Sequence, residues 1–228
     1  VTGKNPDGSV IAQYLTHKLK MPLSTWMRPS HNAEVCGTEI LKAMLGKKSF
    51  PFPKSLFAVE DCLRFFITDK PQAVVLDFFS GSGTTAHAVM RLNKQDEGSR
   101  QCISVTNNEV SADEQKALRE QGFRPGDPEW EKMGICDYIT KPRIEAAITG
   151  FTPDGKPIEG DYKFTDEFPM SEGFEENAEF FTLTYETPIS IGHNLAFSMI
   201  APVLWMRAGS KGRRIDNIPK QGWEVVDC

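Results

Sequence analysis

The stretch Val74-Val75-Leu76-Asp77-Phe78-Phe79-Ser80-Gly81-Ser82-Gly83-Thr84-Thr85-Ala86 constrains the fold of this chain more than any other. A continuous apolar run suits a parallel strand covered on both faces. The apolar stripe through Ala86, Ala88, Val89 and Leu92 predicts a helix immediately after it. Strand and helix are joined by an acid and two glycines, which permit positive φ and close approach of a ligand to the backbone. The hydroxyls of Ser82, Thr84 and Thr85, with the unpaired amides of a helix start, supply donors. The chain is therefore expected to be α/β, with a ligand at the carboxyl end of this strand.

Three kinds of loop share that outline. A phosphate-binding P-loop is excluded, because it needs a lysine and then Ser or Thr after the last glycine, where this chain has Thr84 and Thr85. The dinucleotide pattern G-x-G-x-x-G/A is satisfied by Gly81, Gly83 and Ala86, but alone it is weak. Asp77 at the strand end would repel a pyrophosphate and attract an ammonium group. S-adenosyl-L-methionine has that ammonium, and its carboxylate suits a helix N-terminus. A second apolar run, Cys102 to Thr106, ends in Asn107, Asn108 and Glu109. A carboxylate there can accept hydrogen bonds from ribose hydroxyls, a role shared by NAD-binding and S-adenosylmethionine-binding folds. Glu109 also reads as an acid before the helix Ser111 to Gln121, where Ser111 and Glu114 form a capping box.

Asp77 to Thr85 closely resembles the S-adenosylmethionine-binding motif of amino-group DNA methyltransferases, and Phe50-Pro51-Phe52-Pro53-Lys54-Ser55-Leu56 resembles the motif that precedes it. This order is that of the β-type adenine-N6 enzymes, including type III modification subunits. The likeness covers roughly residues 20 to 148, with Gly37 to Lys42, Ala88 to Asn93 and the Ile135 to Ile148 stretch fitting it. Ser55 departs from it, since proline is common there. The resemblance implies a cofactor site of Phe52, Pro53, Lys54, Ser55, Asp77, Phe79, Gly81, Ser82, Gly83, Thr84, Thr85, Asn107 and Glu109. Asp77 would position the methionine amine, the loop would wrap the methionine end, Lys54 and Ser55 would close the pocket, and Glu109 would hold the ribose. Asp137 is a further candidate for the adenine end or for a solvated strand end. The resemblance implies S-adenosyl-L-methionine as the cofactor and requires no metal.

The family also uses a D/N-P-P-Y/F/W tetrapeptide to hold the target amine and stack a flipped base. None occurs in these 228 residues, so no catalytic residue is assigned. Asp127-Pro128-Glu129-Trp130 comes nearest, but it reads as a turn opening a short helix, with Pro128 at the first position. In the β-type order the tetrapeptide precedes Phe50. The expectation is a chain lacking the N-terminal part of its protein and inactive alone.

A net charge of −5 argues against strong DNA binding by this chain alone. Lys42, Lys47, Lys48 and Lys54 form one basic group, and Arg207, Lys211, Arg213 and Arg214 another; each reads as a phosphate contact or as solvated charge. Charged residues make up 25% of the chain and no apolar run reaches bilayer length, as expected of a cytoplasmic protein without a membrane span. Cys36, Cys62, Cys102, Cys136 and Cys228 form no C-x-x-C pair, and His17, His31, His87 and His193 are scattered. Reduced thiols and no zinc site are expected.

The fold expected is an α/β methyltransferase (Rossmann-like) doubly wound sheet, incomplete here, with a small α+β extension. Residues 1–30 would be the end of a recognition region or an irregular arm, with a helix at Val10 to Lys20, and 31–149 the S-adenosylmethionine-binding part of a methyltransferase domain. Residues 150–178, rich in glycine, proline and acids, would be a linker or long loop, and 179–228 the extension. Helices are expected at Glu39 to Leu45, at Leu56 to Thr68 with Leu56, Val59, Leu63, Phe66 and Ile67 inward, and at Ile189 to Arg207, bent at Pro202. Strands are expected at Ile135 to Ile139, Glu179 to Glu186 and Trp223 to Val226. The intact protein would methylate double-stranded DNA at adenine N6, with a restriction subunit or a second copy as partner. An NAD-dependent oxidoreductase and a noncatalytic regulatory module are the alternatives.

Overall fold

The computed structural model describes residues 3–4, 6–7, 10–11, 28–46, 50–183, 187–189 and 197–217. They fall into two compact units that divide between Asn177 and Ala178.

In the first unit, β1 (Gly3–Lys4) pairs antiparallel with β2 (Val10–Ile11), so the expected helix at Val10 begins instead as a strand. Helix α1 (Glu39–Leu45) follows a π-helical turn, Glu34–Thr38. Helix α2 (Leu56–Ile67) starts at Ser55, whose hydroxyl accepts from the Ala58 amide at 3.2 Å. It packs against α3 (Thr84–Asp96). Between them in sequence, β3 (Val74–Asp77) pairs in parallel with β4 (Gln101–Ser104), with Asp77 opposite Ser104. Helix α4 (Ala112–Glu120) is capped as expected: Ser111 Oγ donates to Glu114 Oε2 at 2.6 Å and accepts from the Glu114 amide at 3.4 Å. Short α5 (Pro128–Glu131) and α6 (Lys141–Thr149) complete the helices of this unit.

Four expectations change. The β3–β4 sheet has two strands among the described residues, and only one face of it is covered. Val74 is 59% exposed, Leu76 61% and Ile103 47%, so the apolar run that suggested burial on both faces has an open side. Phe66 of α2 is also outward, at 72%. Leu56 and Ile67 are buried and Val59 and Leu63 pack against the core as expected, while Phe57 and Glu60 also turn inward, because Glu60 meets a buried partner on α3. Cys136–Thr140 is a π-helical turn running into α6, not a strand. The Ile135 amide donates to Glu109 O at 2.9 Å and the Tyr138 amide to Gly134 O at 2.8 Å, which closes a helical path before any strand pairing forms.

Residues 150–177 are built into the unit and are not a free linker. Gly150, with φ +74°, ends α6, and a Cβ there would lie 2.1 Å from Ser171 O. Strand β5 (Asp161–Tyr162) pairs antiparallel with β6 (Phe168–Pro169). Ile158, Tyr162, Met170 and Phe174 enter one apolar cluster with Leu41, Met44, Leu56, Ala88, Ile144 and Ala147.

In the second unit, a helix spans Phe197–Arg207 with Pro202 inside it. Residues 178–183 form no regular element, so the strand expected from Glu179 is not formed over them. The rest of that strand, the early part of the expected helix, and the strand at Trp223 lie outside the described residues. Arg214 Nη1 donates to Glu179 Oε1 at 2.7 Å and Nε to Asp216 Oδ1 at 2.6 Å, so this member of the second basic group is already paired. In the first group Lys42 stands 3.9 Å from Glu39 and Lys54 is exposed, while Lys47 and Lys48 lie outside the described residues.

Candidate cofactor site

The glycine loop leaves β3 at Asp77 and is tied at once to β4's extension. The Val105 amide donates to Asp77 O at 2.8 Å, and the Ser80 amide donates to Val105 O at 3.1 Å. Asp77 Oδ1 accepts from the Phe79 amide at 3.2 Å, so the carboxylate sits at the mouth of the turn. The Gly83 amide closes onto Ser80 O at 2.7 Å. Gly81 and Gly83 have φ of +50° and +75°, the left-handed region that a side chain disfavours. Gly83 is the N-cap of α3, and Thr84 and Thr85 are its first residues. Ser82 and Thr84 are buried with their hydroxyls 3.1 Å apart, whereas Phe79 is 86% exposed.

The segment before α2 lies beside this loop. A Cβ on Gly81 would stand 3.6 Å from Phe50 Cζ, so two motifs about thirty residues apart in sequence meet in space. Gly37 admits the segment, because a Cβ there would fall 2.7 Å from Pro53 O and 2.8 Å from Lys54 O. Phe52 is exposed with φ +56°, Pro53 is buried and Lys54 exposed. Ser55 is committed to the fold, since its hydroxyl donates to Ser30 O at 2.7 Å while capping α2.

Beneath the loop stand residues that sequence reasoning missed. The Thr140 hydroxyl lies 2.6 Å from Gly81 O and 3.1 Å from Ile135 O. Arg143 Nη1 donates toward Ser82 O at 3.2 Å, Ser82 Oγ at 3.1 Å and Thr84 Oγ1 at 2.7 Å. Both come from the π-helical turn and α6, some sixty residues downstream, and π turns often occur at functional sites. Further along α3, His87 is fully buried with Nε2 2.8 Å from the Tyr162 hydroxyl. Burial, with the charges of Arg143 and Arg91, holds the His87 pKa well below the usual range, so the ring is neutral. Burial likewise pushes the Tyr162 phenol up.

At the end of β4, Asn107 and Glu109 are exposed, and Asn108 between them is structural. Asn108 Nδ2 donates to Glu131 O at 2.7 Å, and its Oδ1 accepts from the Asp137 amide at 3.1 Å. Its side chain packs where Gly134 lacks one. Asp137 is held by Lys141 at 2.5 Å, and that bond raises the lysine pKa. Trp130 is buried with Val110 and Leu118. Of the Asp127 to Trp130 string, Trp130 enters this small core while Pro128 and Glu129 stay exposed. No cluster of histidine, cysteine or acids able to hold a metal occurs among the described residues. Nor is any described helix long and apolar enough to cross a membrane.

A family model described as DNA methylase matches residues 9–185. The chain belongs to the N6/N4 DNA methylase family. It is 43% identical over 91 residues to the type III restriction-modification enzyme EcoPI Mod subunit of Escherichia phage P1, covering 40% of this chain and 14% of that protein. It is 40% identical over 96 residues to the type II methyltransferase M.KpnI of Klebsiella pneumoniae, covering 41% of this chain and 22% of that protein. The StyLTI Mod subunit of Salmonella typhimurium matches at 39% over 94 residues, covering 41% of this chain and 14% of that protein. The chain therefore matches well under a quarter of the length of these relatives. Its helices and small parallel sheet are compatible with a methyltransferase fold.

Proposed function

We propose that this DNA methylase chain is the S-adenosyl-L-methionine-holding part of a site-specific adenine-N6 DNA methyltransferase of a restriction-modification system. The observation that carries the reading is the meeting of Phe50 with Gly81, which joins the lysine-proline segment to the glycine loop. The residues suit the cofactor. Asp77, at the mouth of the turn, offers a carboxylate to the methionine ammonium. The amides and hydroxyls of Gly81 to Thr85 at the start of α3 suit its carboxylate. Exposed Glu109 and Asn107 are available to the ribose, Phe52, Lys54 and Phe79 would line the remaining sides, and buried Pro53 and Ser55 would hold that segment in place from behind. The cofactor supplies the methyl group; the chain's own residues bind and orient it. The open face at Val74, Leu76 and Ile103 supports a larger, doubly wound sheet in the intact protein, with double-stranded DNA and a restriction subunit or second copy as its partners.

Without a D/N-P-P-Y/F/W tetrapeptide the chain has nothing to hold a flipped adenine. It is expected to bind cofactor and to transfer no methyl group alone. Isothermal titration with S-adenosyl-L-methionine and with NAD tests the first part, and NAD binding in its place sinks the reading. Incubation with DNA and cofactor labelled in the methyl group tests the second. Labelled DNA from the 228-residue chain alone would show that the division of labour is wrong.

A further inference from the structure

The glycine loop rests on a buried charge that has no counter-ion among the described residues. Arg143 is 0% exposed. One of its nitrogens, Nη1, serves three acceptors on Ser82 and Thr84, while Nε and Nη2 have no partner among the described residues. Among the described residues no acid meets its charge, and the polar group that bears on it is the Tyr162 phenol. Glu60, the buried carboxylate on the far side of α3, is engaged by Arg91 at 2.7 Å and Arg64 at 2.6 Å. Burial lowers the Arg143 pKa to about 10, which still leaves the group protonated at neutral pH.

An unpaired charge in the interior is costly to a fold, and it is relieved by an anion nearby. The start of α3 presents a partial positive charge at the same place. Two cationic features thus converge under Ser82 to Thr84, and an acid, Asp77, stands at the other side of the turn, at the end of β3. The cationic and anionic sides match the two ends of a zwitterionic amino-acid group. Thr140 holds the middle of the loop through Gly81 O, so loop shape and loop charge are set from one downstream element.

We propose that Arg143 is a positioning residue that fixes the glycine loop through Ser82 and Thr84 and gives it its preference for a ligand bearing a carboxylate, with Thr140 fixing Gly81. The inference rests on the cofactor reading above and names what makes that loop selective. The test compares S-adenosyl-L-methionine with its decarboxylated analogue, by calorimetry on the full chain, alongside hydrogen exchange of the Gly81 to Thr84 amides without ligand. Arg143→Met should weaken S-adenosyl-L-methionine about tenfold more than the analogue, the loss of one interaction with a charged group. Arg143→Lys should retain most of the discrimination, and Thr140→Val should weaken both ligands alike. Should Arg143→Met fail to fold, Arg143→Gln removes the charge while leaving a polar end on the side chain, and carries the same comparison. Equal loss for the two ligands would overturn the selective role and leave a purely structural arginine. If the unmodified chain binds neither ligand, the cofactor reading falls. Loop exchange then decides the positioning role, with faster exchange in the variants upholding it and unchanged exchange overturning it.

Discussion

Removing the carboxylate of Glu60 should be among the most damaging single changes away from the loop. Glu60 Oε2 accepts from Arg91 Nε at 2.7 Å, with side-chain exposures of 2% and 0%. Its other oxygen accepts from Arg64 at 2.6 Å and Gln95 at 2.9 Å. In Glu60→Ala the Arg91 guanidinium would remain among the rings of Phe57, Tyr162 and Phe168, at 4.9, 5.0 and 5.9 Å. The nearest remaining carboxylate would be Asp166 at 3.9 Å, which is 37% exposed. Breaking a buried pair costs about 3–5 kcal/mol, and a half-exposed partner recovers no more than about 1 kcal/mol. A net loss of about 3 kcal/mol is expected. With a urea dependence of about 2 kcal/mol per molar, the unfolding midpoint should fall by roughly 1.5 M. Arg91→Met should cost a similar amount, but the double variant Glu60→Ala/Arg91→Met should cost far less than the sum, because neither member of the buried Glu60–Arg91 pair is left without the other. Urea unfolding of all four proteins, followed by circular dichroism, gives the coupling directly. Single costs that simply add in the double variant would refute the idea that the two residues act as one buried unit.

Gly150→Ala should lose on the order of 3 kcal/mol, because the residue combines φ +74° with a Cβ 2.1 Å from Ser171 O; a thermal melt within a degree or two of the parent would show that the α6 end can shift cheaply. His87 gives a pH signature. Its folded pKa lies well below the unfolded value of 6.5, so the unfolded chain takes up the proton first. Its stabilising contribution is complete above about pH 6.5 and is lost as the pH falls from there toward the folded pKa. Melting temperatures of the parent should therefore drop more between pH 7.5 and 5 than those of His87→Gln, and parallel profiles would count against a neutral buried imidazole.

Much of the first unit was legible because its signals are local. Ser111 and Glu114 mark the start of α4 with a capping box, and Asp77 to Thr85 marks a strand, a turn and a helix in one string. What was not legible depends on distant partners. Phe66 looks inward by periodicity, yet the face is set by Glu60, whose burial makes sense only beside Arg91 from another helix. Ile135 to Ile139 has the β-branched and aromatic content of a strand, but hydrogen bonds to Glu109 and Gly134 wind it into a helical turn. Residues 150–177 have a linker's composition, and the four side chains they bury, Ile158, Tyr162, Met170 and Phe174, follow no regular spacing. In the candidate site the upper surface was readable and the support was not. Nothing near Arg143 or Thr140 in sequence announces a loop sixty residues away.

The bare face of the β3–β4 sheet also has a practical meaning for handling the chain. Val74, Leu76 and Ile103 lie on one side, and each strand has an outer row of amides and carbonyls that no described strand pairs. Such an edge is a ready template for another chain. Purified on its own, the protein should be prone to concentration-dependent stacking, and its soluble lifetime should depend on how quickly something covers those three side chains. A charged substitution at Leu76 would then act as a solubiliser of the chain by breaking up that apolar face.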